Sequence, residues 1–274
     1  NGERKTMTLE DLFSLKGRVA LVTGGSRGIG RMIVEGFLAA GAERVYITAR
    51  KGGELHETAE ELGDKVVPVQ GDISTMDGIE ALVSEISSKE GKLDILVNNA
   101  GAAWGADYLE FPEQGWDKVM DLNVKTPFFL TQKLHNLLSA AASADRPAKV
   151  INIASVDGLR INPWETYSYQ ASKSALIQLT RRMAARLVKD HIYMTAIAPG
   201  AFPSNMNKVA RDHGDQSAKG IPNKRVGDAF DMGGSAVYLA SRAGDYTIGE
   251  TLTVDGGIVN AHLPTHFADP AGGL

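Results

Sequence analysis

Short apolar runs rich in β-branched residues alternate with longer amphipathic stretches along most of this chain. The runs occupy 19–23, 45–48, 66–70, 93–98, 150–154, 194–198 and 251–254. Each is too short for a helix and apolar at consecutive positions. Burial on both faces is therefore expected, as in the strands of a parallel sheet. Between them, helical patterns cover 29–40, 54–62, 76–88, 116–141 and 171–189. This alternation predicts an α/β fold: a doubly wound parallel sheet of about seven strands with right-handed crossovers. Two segments depart from it, the polar stretch 202–225 and the tail 260–274 with Pro264 and Pro270. We expect one domain over 15–259 that includes 202–225 as a lid, an extension over 1–14, and Met7 as a candidate natural start.

Composition narrows the class. With 274 residues, 43% hydrophobic and 23% charged, the chain can bury a full core and is not expected to be disordered. The absence of cysteine excludes disulfides, a thiolate nucleophile and a zinc–cysteine site. No apolar run approaches the ~18 residues of a membrane helix, and no secretory start is visible. The expected compartment is the cytoplasm, with no membrane partner. A net charge of −4 gives no sign of a nucleic-acid surface. His262 and His266 have helical spacing, but Pro264 between them argues against a helix, so no metal site is expected.

The first apolar run leads into Thr23-Gly24-Gly25-Ser26-Arg27-Gly28-Ile29-Gly30, and a helical pattern follows. Glycines permit a sharp turn and close approach of a pyrophosphate, and the N–H groups opening a helix favour a phosphate. The bland alternative is a tight turn that binds nothing. The second run continues into Thr48-Ala49-Arg50, where a carboxylate would favour an unphosphorylated ribose. Arg50 and Arg27 can instead grip a 2′-phosphate with fork-shaped hydrogen bonds, which points to NADP(H). Two solvated charges are the alternative.

Tyr169 and Lys173 have i,i+4 spacing and share a helix face. A neighbouring ammonium lowers a phenol's pKa and suits it to trade a proton near neutral pH. Tyr167 should face away from Tyr169 and has Ala171 at its own i+4 position, so it is assigned to packing or the pocket rim. Ser155 ends the fifth run, where such sheets present ligand groups, and its hydroxyl can orient a carbonyl oxygen.

These pieces, with Asn98-Asn99-Ala100-Gly101, Asn123 and Pro199-Gly200 in the same order, resemble the short-chain dehydrogenase/reductase family over roughly 15–258. The order also resembles its 3-ketoacyl reductase members, the rhamnolipid-pathway type among them. The resemblance implies a Rossmann-type fold and a catalytic set of Ser155, Tyr169, Lys173 and Asn123. Lys173 would also hold the nicotinamide ribose, and Asn123 would tie Lys173 to a water and continue a proton relay. The implied cofactor-binding set is Gly24, Ser26, Arg27, Gly28, Ile29, Gly30, Arg50, Asp72, Ile73, Asn99, Ala100, Gly101, Tyr169, Lys173, Pro199, Gly200, Phe202 and Ser204. Asp72 would meet the adenine amino group, or else close a turn. Phe202 and Ser204 stand by spacing where the family has a hydrophobic residue and a threonine at the carboxamide, with Pro203 between them.

The expected pocket draws on 102–105, 156–164, Tyr167 and 202–225, with an apolar wall of Trp104, Leu159, Ile161, Trp164, Phe202 and Met206. Such a wall suits a ketone with an alkyl chain, including a 3-oxoacyl thioester linked to a carrier or coenzyme A. Lys208, Arg211, Lys219, Lys224 and Arg225 could form a basic rim for an acidic carrier, diluted by Asp212 and Asp215; a solvated face is the alternative. The resemblance implies a homodimer or homotetramer. The leading expectation is an NADPH-dependent carbonyl reductase. The alternatives are a dehydrogenase of small or polycyclic secondary alcohols, and a nucleotide-sensing binding protein without turnover.

Overall fold

A computed structural model describes residues 6–262. Seven strands form one sheet: β1 (Val19–Thr23), β2 (Arg44–Ala49), β3 (Val66–Gln70), β4 (Ile95–Asn98), β5 (Ala148–Ile153), β6 (Ile192–Pro199) and β7 (Thr251–Val254). Their order is β3-β2-β1-β4-β5-β6-β7. All pairs are parallel. The order reverses direction between β1 and β4, which opens a crevice at their carboxyl ends.

Eleven helices complete the described fold: α1 (Leu9–Phe13), α2 (Gly28–Ala39), α3 (Gly52–Leu62), α4 (Met76–Lys89), α5 (Glu113–Met120), α6 (Thr126–Lys133), α7 (His135–Ala141), α8 (Tyr167–Leu187), α9 (Lys208–Asp212), α10 (Gly214–Lys219) and α11 (Ala229–Ala240). Strand side chains alternate between two cores. Ala20 and Val22 join Ile33, Phe37, Leu55 and Met232 on the face of α2, α3 and α11. Val19 and Leu21 join Leu82, Leu130, Leu138 and Leu187 on the face of α4, α6, α7 and α8. Burying these cores supplies the main drive for the layered fold.

Three expectations need correction. The stretch read as one helix over 116–141 is α5, a π-helical turn at Asp121–Lys125, α6 and α7. In the π turn the Thr126 N–H donates to Asp121 O, and Pro127 opens α6, where its missing N–H costs little. The helix expected from 171 begins at Tyr167. Finally, α11 was not expected. Its Gly233 and Gly234 weaken helix propensity, yet a Cβ on Gly36 of α2 would lie 2.7 Å from Gly233 Cα, so the pair allows close helix contact.

At the amino end of the sheet, remote from the crevice, charges are buried. Lys149 Nζ lies 2.7 Å from Asp245 Oδ1, while Arg18 and Arg146 reach Asp94 at 3.3 and 3.4 Å. Burial lowers the pKa of both Lys149 and Arg18.

Candidate active site

The glycine loop leaves β1 and packs more tightly than any side chain would allow. A Cβ on Gly30 would lie 2.1 Å from Gly24 O, and Gly24 itself has φ +66°. Arg27 precedes α2 in extended conformation, and no side chain caps the first N–H groups of that helix. This leaves backbone donors and a positive dipole end at the crevice, the arrangement a pyrophosphate fits. The loop is anchored from β4. Asn99 Nδ2 donates to Thr23 O at 2.8 Å, and the N–H groups of Asn99 and Ala100 both donate to Thr23 Oγ1 at 2.9 Å. Thr23 is a supporting residue that the sequence reading left out of the site.

Arg50 is exposed at the end of β2. Arg27 Nη1 donates to Glu54 Oε2 of α3 at 2.7 Å, with both side chains about half exposed. The two guanidinium groups thus stand on the β2 side of the crevice, and one already holds a carboxylate. Asp72 Oδ1 accepts from Ser74 N at 3.0 Å and from Ser74 Oγ at 2.7 Å, as a turn residue ahead of α4 does. These Ser74 bonds, with Arg50 nearby, pull its pKa below the usual range against the opposing effect of burial, which is the largest single influence. Ile73 is buried, and its carbonyl accepts from Thr126 Oγ1 at 2.6 Å.

Ser155, Tyr169 and Lys173 meet at the carboxyl end of β5. Ser155 precedes a 3-10 turn, Val156–Gly158, and its Oγ accepts from Asp157 N at 3.1 Å. That turn packs directly on α8: a Cβ on Gly158 would lie 2.7 Å from the Lys173 carbonyl carbon. Burial pushes the Tyr169 hydroxyl up to about 12; a hydrogen bond from Ser155 opposes this, and the Asp157 charge adds to it. Burial brings Lys173 down to about 8, opposed by Asp157. Lys173 Nζ donates to Ile153 O at 2.7 Å and lies 5.6 Å from the Tyr169 ring centre. The expectation that the ammonium makes the phenol acidic is therefore not met in this form. Burial dominates both groups, and Lys173 is directed to a backbone carbonyl.

Asn123 lies in the π turn and is buried. Its Nδ2 donates to Ala102 O and Ser172 Oγ, both at 2.9 Å, while its Oδ1 accepts from Ala102 N at 2.8 Å. With these bonds the side chain braces the β4 loop against α8. Ser172, which closes this link by donating to Tyr169 O at 2.7 Å, had no signal in the sequence beyond its place between Tyr169 and Lys173. Gly101 fits between these groups, since a Cβ there would lie 3.2 Å from Asn123 Oδ1 and 3.8 Å from Lys173 Nζ.

Pro199 ends β6, and the chain continues through Gly200 toward the glycine loop. Ser204 faces Gly28, with its Cβ 3.1 Å from where a Gly28 Cβ would stand, and its Oγ accepts from Asn207 N at 3.0 Å. Phe202 is 2% exposed and lies in the core, where a Cβ on Gly227 would fall 2.4 Å from its ring. The ring is thus an anchor for the 202–225 segment and not part of the apolar wall.

Leu159, Ile161, Trp164 and Met206 of the expected apolar wall are exposed. Trp104 packs on Gly115 of α5 with Lys118 Nζ 5.2 Å above its ring. Tyr167 packs edge-on against Tyr108 and Phe111, at 5.7 and 5.8 Å, as expected of a packing or rim residue. Glu165 accepts from the Tyr167 hydroxyl at 3.1 Å.

The expected basic rim is largely self-satisfied. Arg211 pairs with Asp212 at 2.7 Å, Arg225 donates to Asp231 at 2.8 Å, and Lys224 donates to Lys219 O at 3.0 Å. Lys208 opens α9, and its side chain lies outside the described residues, as do His266, Pro264 and Pro270. Among the described residues, no group of three or more His, Asp or Glu is placed to hold a metal. No described helix is long and apolar enough to cross a membrane.

Known proteins share this sequence pattern and fold. The sequence model described as Enoyl-(Acyl carrier protein) reductase matches residues 24–259. A Rhamnolipids biosynthesis 3-oxoacyl-[acyl-carrier-protein] reductase of Pseudomonas aeruginosa is 46% identical over 252 residues, covering 89% of this chain and 97% of that protein. A 2-dehydro-3-deoxy-D-gluconate 5-dehydrogenase of Escherichia coli is 39% identical, covering 89% and 96%. Among solved structures, the Pseudomonas aeruginosa RhlG/NADP active-site complex superposes with a TM-score of 0.87 at 44% identity, over 90% of this chain and 98% of that one. A gluconate 5-dehydrogenase from Burkholderia cenocepacia, in complex with NADP and tartrate, gives a TM-score of 0.83 at 31% identity over 93% and 100%. The glycine loop, the Asn-Asn-Ala-Gly anchor and the Ser155–Tyr169–Lys173 cluster thus occur on a shared scaffold, and the chain belongs to the short-chain dehydrogenase/reductase family.

Proposed function

We propose that this protein is an NADP-dependent oxidoreductase that reduces a ketone to a secondary alcohol, with a 3-oxoacyl thioester as the leading substrate class. The observation that carries the reading is the Ser155–Tyr169–Lys173 cluster beside an uncapped helix terminus at the sheet crevice. The glycine loop would hold the pyrophosphate, and Arg27 and Arg50 the 2′-phosphate. When bound, NADPH supplies a hydride to the carbonyl carbon. Ser155 donates to the carbonyl oxygen and orients it. Tyr169 gives its hydroxyl proton to the same oxygen, and Lys173, at about 8, restores the proton near working pH. Asn123 acts as a positioning residue through Ala102 and Ser172.

Tyr169→Phe should lower turnover of a panel of ketones by about 10²–10⁴-fold, the usual worth of a general acid, with NADPH still bound. Turnover within threefold of the parent rejects the assignment. Arg50→Asp should shift kcat/KM toward NADH by at least about tenfold, since a carboxylate repels a 2′-phosphate; an unchanged ratio rejects the NADP reading of that corner. We further propose a cytoplasmic homo-oligomer, by resemblance to the family. The self-paired lid cations lend no support to carrier docking, so a coenzyme A thioester is the substrate form to try first.

A further inference from the structure

One face of α3 is bonded to the glycine loop and to the start of α2 at three successive turns. Glu54 Oε2 accepts from Arg27 Nη1 at 2.7 Å. The buried Thr58 donates from Oγ1 to Ser26 O at 2.8 Å, and Glu61 Oε2 pairs with Arg31 Nη2 at 2.8 Å. Positions 54, 58 and 61 follow i, i+4, i+7 spacing and so share one side of the helix. Leu55 and Thr58 are buried, which fixes the first turn that carries Glu54. Upstream, Gln70 of β3 closes on the connection into α3. Its Nε2 donates to Arg50 O at 3.0 Å, and a Cβ on Gly52 would lie 2.7 Å from its Oε1. A braced backbone therefore delivers the Glu54 carboxylate to Arg27. Among the described residues it is the sole partner of that guanidinium, engaging Nη1 and leaving the Nε and Nη2 donors open.

We infer that Glu54, held against Arg27 by the first turn of α3, is a specificity-determining residue of the cofactor corner that limits the preference for a 2′-phosphorylated ribose. This rests on the reading of Arg27 as a 2′-phosphate ligand and deepens it. A phosphate reaching Arg27 meets a guanidinium already paired with a carboxylate, and must share it or displace Glu54. Both side chains are about half exposed, so the pair opens at small cost and binding is weakened without being blocked. Two anions on one guanidinium also repel each other. A ribose with a free 2′-hydroxyl brings no charge and bears neither cost. The loss therefore falls on the phosphorylated cofactor alone, which makes it a matter of specificity.

The test is calorimetric titration of the full chain with 2′,5′-ADP and with 5′-AMP. Both carry the adenosine of the cofactor, one with the 2′-phosphate and one without, and neither is turned over. The parent protein should bind 2′,5′-ADP more tightly. Glu54→Gln keeps an acceptor for Arg27 and removes the charge. It should tighten 2′,5′-ADP about three- to fivefold while 5′-AMP stays within about twofold. That gain should fade between about 20 mM and about 0.5 M NaCl, as a screened charge effect must. Because the comparison is a ratio of two ligands on one protein, a loss of folded material cancels. An unchanged ratio in Glu54→Gln overturns the inference and leaves the NADP reading standing. So does weaker 2′,5′-ADP binding, which would make the carboxylate an aid that orients Arg27, and so does a gain that salt leaves intact. A parent protein that prefers 5′-AMP overturns the inference and the 2′-phosphate reading together.

Discussion

At the scale of single residues, this centre trades stability for readiness to react. Lys173 holds a proton less tightly folded than unfolded, at about 8 against 10.5. The unfolded chain therefore binds more protons between those values, and this group makes stability rise with pH across that window. Below about pH 8 its full penalty applies, on the order of 3 kcal/mol. Lys173→Met should accordingly raise the denaturation midpoint at pH 7 while removing turnover, and should flatten the stability curve from about pH 8 to 10.5. Calorimetry across that range checks it, and an unchanged slope refutes it. Tyr169 works in the opposite sense, its stabilising effect fading as pH rises from 10 toward about 12. Tyr169, Lys173 and Ser155 were legible because spacing and strand ends fix them. Asp157 was not, since a carboxylate in a short turn has no periodic signature. Phe202 was misplaced for a related reason: spacing along a loop gives a position, while the small Gly227 below it decides where the ring goes.

At the scale of elements, all seven strands were readable to within two residues at each end, because burial on both faces of the inner ones imposes a continuous apolar run. The helices were less so. An apolar stripe continues through a π turn without interruption, and α11 hides behind paired glycines. Those glycines carry a prediction. Gly36→Ala would bring a Cβ within 2.7 Å of Gly233 Cα, where no flexible side chain can yield. The gain of about 1 kcal/mol in helix propensity should be exceeded by overpacking, for a net loss of about 1–3 kcal/mol in urea melts. A variant as stable as the parent would mean that α2 and α11 separate without cost.

For the molecule as a whole, the two ends of the sheet have different tasks. The carboxyl ends gather the reacting groups, while the amino ends bury a charge network of Arg18, Asp94, Lys149 and Asp245 that takes no part in them. Its members are distant in the chain and come together only through the parallel register, so no local pattern disclosed them. Asp245→Ala should cost about 3–5 kcal/mol by stranding the buried Lys149 ammonium. Adding Lys149→Met should recover a large part of that loss with ketone turnover unchanged throughout. Denaturant titration of the single and double variants decides the matter, and additive losses would show that the two charges are uncoupled.

The π turn at Asp121–Lys125 has one more implication, for the tolerance of chain length. A widened turn holds one residue beyond what a regular coil would need there, and it absorbs that surplus locally. Deleting Val124 would close the segment to a regular coil and leave Leu130 and Leu134 on the side where they are now enclosed. What looks on paper like a disruptive loss would spare the next two helices and fall on Asn123, whose hold on Ala102 and Ser172 depends on the bulge.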